Sequence, residues 1–406
     1  MPQQTPRTAK RRVGCLPNFL RIIFVGVLLL VALLFITGNQ YIIRGVQLTY
    51  LKGKTTANIY DYKDFGNRLV LSAAPQPWDT QPDYNQQSLP DSLLQHLEQY
   101  STDAFLVIKD GKLWQEHYFQ NRKSTDISNS FSIAKSVVTM LMFKAIEDGY
   151  IQSTEQKITD FLPEYKEDSF GSQCTIGHLS AMTSGYDWQE DYYLPLNPTA
   201  KAYYGTDIEK QMLQRGFDEM PGSRFEYLSG ATQLLAIIIQ RATNKPISTY
   251  LTESFWQPMG MEQDAQWSLD ANDEMEKAYC CLNATARDFA KLGQLLLQHG
   301  NWNGRQLLSK EHVQKMVQPN LSAFASANTA QYGYSIWTDY SNQPQFYAML
   351  GHLGQRVIVI PEINTVIVRL GHEKDDRKLG MGTIGDATGS DTYIYVNQVY
   401  KMIKNQ

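Results

Sequence analysis

Ser132-Ile-Ala-Lys135-Ser-Val-Val-Thr-Met-Leu-Met-Phe-Lys-Ala-Ile146 is the stretch of the chain that decides its fold. Apolar residues recur in it at helical spacing, which predicts one helix that begins near Ser132 and ends at Gly149. At positions i and i+3, Ser132 and Lys135 share one face of the first turn. The segment also contains the only S-x-x-K in the sequence.

This pair of residues has the chemistry of a nucleophile and its base. A serine hydroxyl is a weak nucleophile and needs a neighbouring base. A lysine in a site of low polarity loses its proton more readily and can act as that base. Free backbone N–H groups at a helix start can stabilise a developing anion. The alternative is that Ser132 only caps the helix and that Lys135 lies on the surface.

Several other catalytic patterns are missing from the sequence. It has no G-x-S-x-G, which argues against an α/β-hydrolase nucleophile. It has no H-E-x-x-H and its seven histidines are scattered, which argues against a zinc site. It has no G-x-G-x-x-G dinucleotide motif. We therefore expect neither a metal nor a cofactor.

Two further segments carry residues suited to a hydrolase. Tyr227-Leu-Ser229 places a tyrosine just before a predicted helix. Gly351-His352-Leu353-Gly354-Gln355 precedes a predicted hairpin, and glycine there allows a backbone to approach a bound substrate. Taken singly, the tyrosine fits a core ring and Gly354 fits a β-bulge.

In this order, the three segments resemble the serine β-lactamase and penicillin-binding superfamily, from about residue 104 to 370. Ser132 and Lys135 match its S-x-x-K motif. Tyr227-Leu-Ser229 corresponds to Y-x-N with Ser229 in place of Asn, and His352-Leu353-Gly354 corresponds to K-T-G. The Y-x-S variant, the Gly-His-x-Gly-Gln element and Trp188-Gln-Glu-Asp-Tyr192 resemble the branch of 6-aminohexanoate-dimer hydrolase and related esterases.

The resemblance implies a role for each of these residues. Ser132 would attack a carbonyl and Lys135 would accept its proton. Tyr227 would relay a proton to the leaving group. The backbone N–H groups of Ser132 and Gln355 would form the oxyanion hole. Tyr192 would contact a small-molecule amide or ester substrate.

Departures from the third motif bear on substrate preference. His352 stands where the superfamily has a lysine, and Leu353 stands where it has a threonine. We expect weaker binding of a β-lactam carboxylate, and faster hydrolysis of short acyl esters and linear amides. The alternatives are a β-lactamase or D-Ala-D-Ala carboxypeptidase-type cell-wall enzyme, and a non-catalytic penicillin-receptor-like sensor module.

Strand signals lie at both ends of the main domain. Residues 105–118 predict a hairpin with an Asp110-Gly111 turn, and residues 357–370 predict a second hairpin. Helical patterns lie between them, and residues 391–404 predict a closing helix. The order predicts an α+β fold, in which an antiparallel sheet built from both ends is flanked by helices and carries a helical subdomain. The resemblance implies the β-lactamase/transpeptidase-like version of this fold.

The N-terminal region predicts a membrane anchor. Residues 22–36 read IIFVGVLLLVALLFI without a charge, close to the length of a membrane-spanning helix. Basic residues cluster before this run, at Arg7, Lys10, Arg11, Arg12 and Arg21. The positive-inside rule then places the N-terminus in the cytoplasm and the remainder on the non-cytoplasmic side. A cleaved signal peptide is the alternative, although no A-x-A site follows.

We predict three regions, namely a cytoplasmic tail and anchor at 1–38, an extension at 39–95 and a hydrolase domain at 96–406. The net charge of -4 does not suggest a nucleic-acid partner. The sequence does not indicate an oligomeric state. Of the four cysteines, Cys280 and Cys281 are adjacent, and neighbours rarely pair. We expect free thiols, or a bridge from Cys174 to one of the two.

Overall fold

The computed structural model describes residues 16–272, 274–319, 332–376 and 390–405. The helices in these ranges are α1 Leu16–Ile36, α2 Tyr41–Leu48, α3 Asp91–Gln99, α4 Ile133–Glu147, α5 Ile176–Ser180, α6 Pro198–Tyr204, α7 Ile208–Leu213, α8 Ser229–Thr243, α9 Ile247–Leu251, α10 Ala286–Leu297, α11 Lys310–Val317 and α12 Asp391–Lys404. The strands are β1 Asn67–Val70, β2 Thr102–Lys109, β3 Lys112–Tyr118, β4 Ile127–Asn129, β5 Ala265–Ser268, β6 Leu282–Thr285, β7 Asn301–Trp302, β8 Arg305–Gln306, β9 Trp337–Asp339, β10 Phe346–Gly351, β11 Gln355–Ile360 and β12 Thr365–Gly371.

A six-stranded antiparallel sheet in the order β3-β2-β12-β11-β10-β9 forms the centre of the protein. Strands from the two ends of the domain meet in it, with Val368 of β12 opposite Leu106 of β2. Both predicted hairpins are present. Asp110 and Gly111 both have positive φ in the first, as a tight hairpin turn requires. The predicted α+β fold is confirmed.

Helices cover both faces of this sheet. Neighbouring residues of a strand point to opposite faces, so Arg356 and Val357 of β11 identify the two sides. On one side, a Cβ added to Gly293 of α10 would lie 2.8 Å from a Val357 methyl, so the helix packs very closely. On the other side, the Arg356 guanidinium donates to Asp391 of α12 at 2.9 Å. The inner strands are therefore buried on both faces.

The predicted helical part lies between β4 and β5 and includes α4 to α9. Within it, α4 packs against α8. A second sheet, in the order β1-β5-β6-β4, lies beside these helices. Its strand β4 pairs Asn129 with Asn283 of β6 and leads directly into the segment that contains Ser132. The second sheet thus fixes the start of α4.

The N-terminal helix α1 contains an apolar window, Phe19–Ile36, with a mean hydropathy of 3.0 and no buried residue. It is long and apolar enough to cross a membrane, although a signal sequence would have the same character. The next elements contact the rest of the chain, since α2 packs on α6 and β1 pairs with β5. The division into regions at residues 38 and 95 stays a prediction.

The prediction for the cysteines is wrong. Cys280 and Cys281 form a disulfide with each other. The backbone allows this because Cys281 has a φ of 71°, in the left-handed region, within a tight turn before β6. Cys174 is a free, buried thiol. A bridge from Cys174 to this pair is therefore excluded.

Candidate active site

The local backbone places Ser132 at the start of α4. Phe131, just before it, has a φ of 44°, a conformation that costs energy for a residue with a side chain. This conformation is supported by a hydrogen bond from the Phe131 N–H to the Asn129 side chain at 2.9 Å. The next three N–H groups, of residues 133–135, donate to the carbonyls of residues 130–132. Ser132 thus begins the helix, as the sequence predicts.

Lys135 lies beside Ser132 and is buried. Its ammonium donates to the Ser132 hydroxyl at 2.9 Å and to the Tyr279 carbonyl at 2.9 Å. Only 1% of the residue is exposed. Burial lowers the pKa of Lys135 to about 8, although the negative charge of Glu190 acts to raise it. A large fraction of this lysine is therefore neutral in mildly alkaline solution.

Tyr227 lies against both Lys135 and Ser132. The Lys135 nitrogen is 5.0 Å from the centre of its ring, which stacks on Trp337 at 5.8 Å. Burial and the nearby Tyr332 raise the pKa of Tyr227 well above its ordinary value, while a hydrogen bond with Ser132 opposes the shift. Tyr227 therefore remains a protonated phenol at neutral pH.

Glu190 is a residue of this site that the sequence analysis missed. One carboxylate oxygen accepts from the Tyr192 hydroxyl at 2.5 Å and the Ser229 hydroxyl at 2.6 Å. The other accepts from the Ser229 N–H at 2.7 Å and the Trp188 ring N–H at 2.9 Å. Glu190 therefore connects two predicted residues, Tyr192 and Ser229. Its only signal was its place within the Trp188–Tyr192 stretch.

His352 packs in an aromatic group near Ser132. Its ring lies 4.9 Å from that of Tyr192 and 5.4 Å from that of Phe131. Among the described residues, its buried Nε2 has no hydrogen-bond partner. Burial and the charge of Lys374 lower the pKa of His352 to about 4. The residue at the position of the motif lysine is therefore neutral at pH 7, more firmly than an ordinary histidine.

Gln355 and Gly354 follow His352 closely in the chain, and the Gln355 side-chain amide donates to the His352 carbonyl at 3.1 Å. The Gln355 side chain accepts from the Gly371 N–H at 3.0 Å and donates to the Gly371 carbonyl at 2.6 Å, which ties β11 to β12. A Cβ on Gly354 would lie 2.3 Å from the Arg369 guanidinium, so only glycine fits there. Neither Gln355 nor Gly354 is among the described residues that line the two cavities at Ser132.

Two cavities meet at Ser132, and Tyr192 and His352 also line both. The larger, of about 360 Å³, is lined by Ser132, Glu190, Tyr192, Phe225, Tyr227, Trp337, Leu350, Gly351, His352, Arg356 and Lys374. The smaller, of about 50 Å³, is lined mainly by apolar and aromatic residues, among them Phe131, Tyr203 and Tyr279. The nucleophile therefore lies between a roomy space with three charged residues and a narrow, mostly apolar one that also contains Asp191.

Comparisons with known proteins show what the chain is similar to. A family model described as Beta-lactamase matches residues 91–380. The 6-aminohexanoate-dimer hydrolase of Paenarthrobacter ureafaciens is 26% identical over 308 residues, which cover 71% of this chain and 76% of that protein. A solved structure from Bacillus anthracis, named for the same hydrolase, has a TM-score of 0.72 at 24% identity and covers 86% of this chain and 93% of its own. A D-stereospecific amidohydrolase from Streptomyces sp. has a TM-score of 0.56 at 17% identity, over 70% of this chain and 95% of its own.

Proposed function

Because the chain belongs to the Beta-lactamase family, whose members are serine hydrolases of amides and esters, we propose that it cleaves such bonds through an acyl-enzyme on Ser132. One observation carries the proposal. The ammonium of a buried lysine lies 2.9 Å from the Ser132 hydroxyl, and the pKa of that lysine is lowered to about 8. A lysine held in this way can accept the proton of its neighbour.

In the first step, Ser132 Oγ attacks the substrate carbonyl carbon while neutral Lys135 takes its proton. The raised pKa of Tyr227 supports this division of roles, because a phenol that stays protonated can donate but cannot act as the initial base. The tetrahedral intermediate then collapses. Its leaving nitrogen or oxygen receives a proton from Tyr227. Tyr227 in turn regains a proton from Lys135.

The oxyanion needs two donors near the carbonyl. The Ser132 N–H is the first, since the three N–H groups after it already bond to carbonyls. The second comes from the turn at residues 352–355. The sequence predicts the Gln355 N–H as this second donor. Within the described turn, His352 is the residue that lines both cavities. Gly351 lets the end of β10 lie close to the segment before Ser132, because a Cβ at residue 351 would lie 2.3 Å from the Ser130 carbonyl oxygen.

Deacylation completes the cycle with water as the second nucleophile. Water adds to the acyl carbon and gives its proton to Lys135, and Ser132 Oγ then leaves and regains that proton from Lys135. The products are a carboxylic acid and an amine or alcohol. The proposed substrate is therefore a small amide or ester, in line with the 6-aminohexanoate-dimer hydrolase that the chain resembles.

We further propose that α1 tethers the hydrolase to a membrane, with the catalytic part on the non-cytoplasmic side. The apolar window Phe19–Ile36 and the basic residues before it support this arrangement.

The test of the proposed chemistry is labelling with a fluorophosphonate probe, followed by peptide mass spectrometry. The adduct should lie on Ser132 and vanish in Ser132→Ala. Ser136→Ala, one helical turn further on, is the matched control that should keep the label. Lys135→Ala should lose hydrolysis by a factor similar to that of Ser132→Ala, because the two act as one unit. Full labelling of Ser132→Ala would refute the assignment.

A further inference from the structure

The larger cavity contains a lysine that the sequence analysis did not single out. Lys374 lines it together with Ser132 and comes from the segment just after β12. Its charge is one of the causes that lower the pKa of His352, so the ammonium lies near this part of the wall. A positive charge thus faces the space where a substrate would bind.

The other charged residues of this cavity are already bound to partners. The Arg356 guanidinium donates to both Asp391 oxygens, at 2.9 and 3.2 Å, and both side chains are almost fully buried. The Glu190 carboxylate already accepts from Tyr192, Ser229 and Trp188. If a substrate group replaced the partners of Arg356 or of Glu190, buried polar atoms would be left unpaired, which costs free energy.

Lys374 differs because its partner is exposed. It pairs with Asp376 at 2.6 Å, and the Asp376 side chain is 71% exposed while that of Lys374 is 26% exposed. Ion pairs with an exposed partner contribute little, since water and salt compete for both charges. A substrate carboxylate inside the cavity can therefore replace Asp376 at small cost.

Tyr227 indicates which half of the substrate would carry that carboxylate. Among the described residues that line the two cavities, Tyr227 lines the larger cavity and not the smaller one. Since Tyr227 protonates the leaving group in the proposed mechanism, the leaving group occupies the larger cavity. The acyl group then lies on the narrow, apolar side.

We propose that Lys374 binds a free carboxylate on the leaving-group half of the substrate. This inference rests on the proposed function and narrows its substrate class. The substrates are linear amides or esters whose amine or alcohol part ends in a carboxylate. Lys374 supplies this charge from a different element than the third motif, where His352 is neutral.

The experiment compares two butyryl esters that differ in one group, 3-(butyryloxy)benzoate and 3-(butyryloxy)benzamide. Release of the phenol is followed on the full-length protein in detergent. For the wild type, the KM of the benzoate should be about tenfold lower than in Lys374→Met, with similar kcat. The benzamide should not distinguish these two proteins. Lys374→Arg should restore the preference, and Asp376→Asn should strengthen it.

A matched lysine outside the site provides the control. Lys245 pairs with Glu253 at 2.5 Å, and Lys245→Met should leave both esters unaffected. Equal ratios of benzoate to benzamide kcat/KM in wild type and Lys374→Met would overturn the inference while the hydrolase assignment stands. Absence of hydrolysis of both esters, together with absence of probe labelling at Ser132, would overturn the proposed function and this inference with it.

Discussion

A change of the charge beside Lys135 should move the pH at which the hydrolase loses activity. Burial lowers the pKa of Lys135 to about 8, and the charge of Glu190 acts to raise it. The neutral amine is the active form in the proposed mechanism. Activity should therefore fall as the pH drops below 8. In Glu190→Gln the raising influence is gone, so this fall should occur at lower pH.

The expected size follows from the pKa. With a pKa of about 8, roughly one-tenth of the amine is neutral at pH 7 and about half at pH 8. The kcat/KM of the wild type should thus rise about fivefold between pH 7 and pH 8 and level off near pH 9. A lysine with an ordinary pKa of about 10.4 would instead give about a tenfold rise per pH unit through this range.

The assay is kcat/KM for nitrophenyl butyrate between pH 5.5 and 9.5, with nonenzymatic hydrolysis subtracted. Glu190→Gln should have a lower plateau, because Tyr192 and Ser229 lose an ionised acceptor, and an acid limb shifted to lower pH. Glu219→Gln is the control, since Glu219 pairs with Arg224 on the surface. A limb in Glu190→Gln that stays in place or moves to higher pH would refute the electrostatic argument.

Three further predictions concern stability, topology and substrate choice. Relative to Lys135→Met, the wild type should gain up to about 3 kcal/mol in free energy of unfolding between pH 7 and pH 11, because unfolding returns the lysine pKa from about 8 to 10.5. The same difference in free energy of unfolding between the two proteins at both pH values, measured by urea denaturation, would contradict this. A reporter that works only in the cytoplasm, fused after Gln406, should be inactive, and an active fusion would reverse the proposed orientation. Nitrophenyl butyrate and a 6-aminohexanoate dimer should have a higher kcat/KM than a chromogenic cephalosporin, because His352 replaces the motif lysine; a clear preference for the cephalosporin would support the β-lactamase alternative.

Local patterns were enough to predict several elements of the fold. The helical spacing after Ser132 predicts α4, and the Asp110-Gly111 turn predicts the first hairpin. The closing helix is predicted at residues 391–404 and observed at Asp391–Lys404. These signals are reliable because capping, turn geometry and periodicity act over a few neighbouring residues. The prediction for Cys280 and Cys281 failed because the turn that joins them depends on an unusual backbone conformation at Cys281.

By itself, the sequence determined the family resemblance, the two hairpins, α4 and the closing helix. It also determined the pair Ser132 and Lys135, because one helical turn fixes their spacing. Only the tertiary structure decided what surrounds that pair. The lowered pKa of Lys135 depends on burial, and Glu190, Tyr279 and Lys374 reach the site from elements far apart in the chain. Their positions depend on how the helices pack on the sheet, and residue spacing carries no direct record of that packing.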